Sequence, residues 1–98
     1  MVTYAKIHAN ADSLVVSGEL NFATVVSLWR DSLALLVSQT HLNFDLSGVT
    51  LSNSAGMALI LEWIKYAKNH SKMIRFENIP AQLVSIISVS GLQSILHS

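Results

Sequence analysis

Apolar and polar positions along the chain change period several times, and each change marks an element. "TYAKIHA" and "SLVVSGEL" are short, rich in β-forming residues and separated by the turn-prone Asn10-Ala11-Asp12, which predicts a β-hairpin over roughly residues 3–18. From Asn21, a plausible cap, the residues Phe22, Val25, Val26, Trp29, Leu33, Leu36 and Val37 recur at helical spacing. They define one apolar stripe and a first helix. "HLNFDL" then alternates, with Leu42, Phe44 and Leu46 on one face and Asn43 and Asp45 on the other, a strand that Ser47-Gly48 is expected to end.

The segment from Ser54 to about Asn69 has helical length and no breaker after Gly56, and "KMIRFEN" follows as a strand. Strand, helix, strand predicts a βαβ unit with a right-handed crossover and parallel strands. Pro80 suits the first turn of a third helix carrying Leu83, Val84, Ile86 and Ile87, with Gly91 as its C-terminal stop. The tail "LQSILHS" is expected to add a short last strand or a helical turn. The order ββαβαβα predicts an α/β domain, a mixed sheet with its helices packed largely on one face. At 98 residues, with no linker, repeat or low-complexity tract, residues 1–98 read as a single domain.

Charge narrows the partners. Six basic residues balance six acidic ones, so the chain has no electrostatic footprint for nucleic acid or for an anionic membrane surface. With 51% hydrophobic and 12% charged residues, so little polar surface hints at apolar area covered by a partner. The absence of cysteine excludes disulfides, thiol catalysis and cysteine zinc sites. The N-terminal "MVTYAKIHANAD" has no apolar core behind a basic start, and no apolar run reaches the roughly 18 residues of a membrane span. A soluble, cytoplasmic chain is expected, meeting a membrane only indirectly.

Candidate chemistry is sparse. His8, His41, His70 and His97 are scattered, with none at the i, i+4 spacing of a helical metal pair, so no metal site is expected. Glu19, Asp45, Glu62 and Glu77 show no sign of convergence. There is no G-x-S-x-G elbow, phosphate-binding loop or glycine-rich nucleotide loop, so neither catalysis nor a cofactor is expected.

One stretch stands out, "LSNSAGMALI" from Leu51 to Ile60. Asn53 or Ser54 can accept a hydrogen bond from the helix first turn, an interaction worth about 1 kcal/mol. The same hydroxyl lies at the positive end of the helix dipole, where a phosphate of about −1.5 to −2 charge is stabilised. Cap and phosphorylation site are both open. Gly56, costing up to about 1 kcal/mol against alanine inside a helix, implies close backbone approach at that point.

These residues resemble the STAS domain, found in anti-sigma factor antagonists, sulfate-transporter tails and the small cytosolic subunit of the Mla-type phospholipid ABC transporter. "SGEL" at Ser17 to Leu20 resembles the family's strand-to-helix signature, "FDLSGVTLSNSAGMALI" its central core, and "VSGLQSIL" its closing segment. The resemblance runs the length of the chain and implies a mixed four- to five-stranded sheet with helices on one side. It places Ser54 at the family's phosphorylatable or partner-contacting position and Gly56 at its glycine. Asn53 departs from the aspartate usual in the antagonists, which removes a charge a kinase partner would read.

"GELNFATVVSLW" is similar to the Mla-type segment, which ends in a Leu-Trp pair. That likeness implies an ABC-transporter ATPase subunit as partner, held through the N-terminus of the second helix, with Trp29 in the contact and the protein at the inner membrane through its complex. The alternative it leaves open is an anti-sigma factor antagonist whose partner is an anti-sigma factor kinase acting on Ser54. Trp29 also reads as a core anchor, since it lies in the middle of the first helix's stripe. If Met57, Ile60, Leu61 and Ile64 face the sheet, then at about 100° per residue Ala55, Leu59, Glu62 and Tyr66 fall on the far side. Asn53, Ser54, Ala55, Gly56, Leu59 and Trp29 are therefore the candidate partner-binding residues.

Overall fold

The structure, a computed structural model, describes residues 4–94. Its elements are β1 (Ala5–Asn10), β2 (Ser13–Leu20), α1 (Val25–Ser38), β3 (His41–Ser52), α2 (Ser54–Asn69), β4 (Met73–Glu77) and α3 (Ala81–Val89). The four strands lie in the order β1-β2-β3-β4, with β1 antiparallel to β2 and the β2/β3 and β3/β4 pairs parallel. This is the mixed sheet and βαβ unit that the hydrophobic pattern predicts. The expectation for the tail falls, from residue 95 on, outside the described residues.

Strand alternation assigns the two faces. Register aligns Ala9, Leu14, Phe44 and Phe76 in one row and His8, Val15, Asp45 and Glu77 in the next. Leu14, Val16, Leu42, Phe44 and Leu46 are buried under the helices, with Ile7, Ile74 and Phe76 half-buried beside them. Lys6, His8, Arg75 and Glu77 are exposed on the opposite, helix-free face. The Phe44 ring stacks on Trp63 of α2 at 4.2 Å and on Phe76 at 5.3 Å, so one aromatic column joins β4, β3 and α2.

Three local expectations are corrected. β3 does not end at Ser47-Gly48 but runs on to Ser52. Two register shifts against β2 each place one additional β3 residue in the ladder, and the buried positions accordingly step by three, from Leu46 to Val49 to Ser52. Pairing with β2 overrides the local turn signal.

The first helix starts at Val25 rather than at Asn21. Asn21 instead closes the preceding turn, its Oδ1 accepting the N–H groups of Ala23 and Thr24, while Thr24 Oγ1 donates to the Glu19 carbonyl at 2.7 Å. The buried face of α1 is Leu28, Ser32 and Leu36, whereas Phe22, Val26 and Val37 from the expected stripe are exposed. The helix is apolar on more than one side, so periodicity alone admitted two faces.

On α2 the buried face is Ala55, Gly56, Leu59, Ile60, Trp63 and Ala67. The expected far-side positions of Ala55 and Leu59 are therefore overturned, and Met57, Leu61 and Ile64 are only half-buried. Trp63, the largest buried side chain, decides the rotation. Lys72 holds the far end of α1, its ammonium donating to the carbonyls of Leu36, Val37 and Gln39.

Candidate functional site

The N-terminus of α2 emerges at the C-terminal end of β3, between the ends of two neighbouring elements. The Asn53 N–H bonds the Leu20 carbonyl of β2 at 3.1 Å, and the Ser52 N–H bonds Oε1 of Gln82 in α3 at 2.8 Å. The cap is Asn53, in extended conformation, whose Oδ1 accepts the Ala55 N–H at 2.8 Å. Ser54 is left outside the capping arrangement. It is exposed, and among the described residues its hydroxyl has no hydrogen-bond partner. No acidic residue occupies the first turn of α2, so the positive end of the helix dipole beside Ser54 is uncompensated.

Gly56 is required from within. A Cβ at this position would collide with Ser52 Oγ and stand 3.3 Å from Leu20 Cδ1. The close approach inferred from the sequence is thus that of α2 to the ends of β3 and β2, not that of a partner. Gly56 and Ala55 are both buried, and neither offers surface for docking.

Beyond Ser54 a groove of about 230 Å³ opens between α1 and α2, lined by Val25, Val26, Trp29, Ala58, Leu59 and Glu62. Leu59 forms part of it although only 3% exposed, so its role is that of a floor. Trp29 is half-buried, packed on the core by one side and lining the groove by another, with the Tyr66 ring edge-on at 6.5 Å. The ring thus packs on the core and also lines the groove. Val26, on the rim, is 61% exposed and Phe22, one turn earlier, 71%.

Of the sequence candidates, the structure brings Trp29 and Leu59 together in the groove and leaves Asn53 and Ser54 at the neighbouring helix end. Val25 and Val26, two members of the first helix's apolar stripe, line the groove, Val25 also packing against the core. Ser32 and Trp63, which set how α1 and α2 pack, carried no motif, although the 56, 59, 60, 63, 67 spacing of small and apolar residues is helical. Among the described residues no group of three metal-ligating side chains converges. No helix there is long and apolar enough to cross a membrane.

The mixed sheet, the three helices on one of its faces and the β3–α2 junction define a STAS domain. The fold is similar to that of the anti-sigma factor antagonist SpoIIAA in its unphosphorylated form, with a TM-score of 0.71 and 15% identity over 92% of this chain and 83% of that one. The family model described as Mlab, STAS domain matches residues 5–97, and the chain belongs to that family. Among curated proteins none matches it significantly.

Proposed function

We propose that this domain is a non-enzymatic docking subunit that binds the ATPase of a phospholipid-transporting ABC complex, on the cytoplasmic side of the membrane that holds the transporter. The observation that carries the reading is an uncovered apolar groove with an exposed, unpartnered Ser54 just beyond its end. An apolar lining that continues into exposed Val26 and Phe22 is the kind of surface that marks a protein contact, and the Mlab description of the matching family model supports a transporter as its setting. The test is co-purification with the ATPase subunit. The wild-type chain is expected to be retained and a folded Ser54→Arg variant to be lost; retention of Ser54→Arg at the wild-type level would overturn this interface.

A second reading rests on the same hydroxyl. Ser54 stands at an uncompensated helix N-terminus, where a phosphate would be stabilised, and the similar SpoIIAA fold is described in an unphosphorylated form. The rival is thus an anti-sigma factor antagonist switched by phosphorylation of Ser54. Asn53 weighs against it, because it leaves no carboxylate beside the hydroxyl. Intact mass after incubation with an anti-sigma factor kinase and ATP tests it: one phosphate that disappears in Ser54→Ala supports the rival, and an unmodified chain counts against it.

A further inference from the structure

Ser54, Ala58 and Glu62 follow one another at four-residue intervals on α2, and all three are exposed. They form one row down the helix, each about 6 Å from the next at a rise of about 1.5 Å per residue. Ala58 and Glu62 wall the groove opposite Val25, Val26 and Trp29. The row thus presents a hydroxyl, then a recess left by a methyl side chain, then a carboxylate. Glu62 is the one ionisable group lining the groove. Among the described residues the single ion pair is Arg75–Glu77 on the open face of the sheet, so the Glu62 carboxylate is held in no ion pair, with Lys65 the next cation along its own helix.

We propose that Glu62 sets the specificity of this groove. Its occupant is a helical segment of the ATPase partner that puts an apolar side chain over Ala58, between Val26 and Trp29, and an arginine or lysine against Glu62. The inference rests on the reading of the groove as the ATPase contact. A helix suits the row because its own i, i+4 side chains repeat at the same spacing. A cation suits its end because apolar walls lower the local dielectric and strengthen the attraction, while an acidic residue in the same place would be repelled.

The experiment titrates the purified ATPase subunit from the same organism into the wild-type chain and into Glu62→Gln, Glu62→Arg and Ser54→Arg, each first checked for native unfolding. Glu62→Gln is expected to raise Kd about tenfold and Glu62→Arg more. Wild-type binding is expected to weaken with salt more steeply than that of Glu62→Gln. Wild-type Kd and salt dependence in Glu62→Arg, with Ser54→Arg not binding, would overturn the role of Glu62 and leave the ATPase reading standing. A wild-type chain that does not bind the ATPase would overturn both.

Discussion

The indole N–H of Trp63 donates to Ser32 Oγ across 3.0 Å, and Ser32 Oγ donates in turn to the Trp29 carbonyl at 2.7 Å. Both side chains are fully buried, so a two-step hydrogen-bond chain ties α2 to α1 directly behind the tryptophan that lines the groove. Ser32→Ala strands the indole N–H in the core, which costs about 1–3 kcal/mol. Trp63→Phe loses ring volume stacked on Phe44 as well. In a double-mutant cycle by chemical denaturation, the two substitutions are expected to couple by about 0.5–3 kcal/mol. Strict additivity would mean that the bond contributes nothing to the packing of the two helices.

Gly56 and Ser52 are expected to couple in the same way. Gly56→Ala gains helix propensity of up to about 1 kcal/mol, yet its Cβ meets Ser52 Oγ. Overpacking of this kind costs about 1–3 kcal/mol, so a net loss of stability is expected. Removing the hydroxyl opens the space, and Ser52→Ala/Gly56→Ala is expected to be more stable than Gly56→Ala alone. The reverse order in urea midpoints would mean that α2 moves aside instead.

Much of this architecture was legible because its signals are local. The alternation of Leu42, Phe44 and Leu46 gave the face of β3, and Pro80 and Gly91 bracketed α3, where Gly91 takes the left-handed conformation of a helix stop at φ 73°. A cap at Asn53 or Ser54 was legible for the same reason, and the structure gives that role to Asn53. What was not legible depends on partners distant in sequence. β3 continues through Gly48 only because β2 pairs with it, and α2 touches the sheet, α1 and α3 at once, so its apolar residues exceed any single stripe. The groove follows from that rotation. Val25 and Val26 line it because Leu28, Ser32 and Leu36 occupy the core side of α1.

Asp45 provides a pH test of the β3–β4 edge of the domain. Its carboxylate accepts from Asn78 Nδ2 at 3.1 Å and from the Ser47 N–H at 2.9 Å, and these bonds, the Asn78 bond foremost, hold its pKa below the ordinary 3.8. A carboxyl depressed in the folded state contributes stability that is present above pH 3.8 and lost as pH falls through the lower folded value. The stability difference between wild type and Asp45→Asn is therefore expected to close in acid and to stay constant above about pH 5. A difference independent of pH down to about pH 2 would show that the ionised form has no preferential role.

Trp29 lets occupancy of the groove be read spectroscopically. The chain has two tryptophans, and Trp63 is fully buried while Trp29 is half-buried. In a Trp63→Phe protein the remaining emission comes from Trp29 alone. If the ATPase subunit docks over Val26 and Ala58 as proposed, water leaves that indole, and a blue shift is the expected result of the titration. Trp29→Ala should lose less stability than the about 3–5 kcal/mol of a fully buried aromatic, because part of the ring already faces solvent. Its binding loss should reach about 2 kcal/mol or more if the ring anchors the contact. The opposite proportion, a large stability loss with unchanged binding, would return Trp29 to the core and leave Ser54 and Glu62 to define the surface without it.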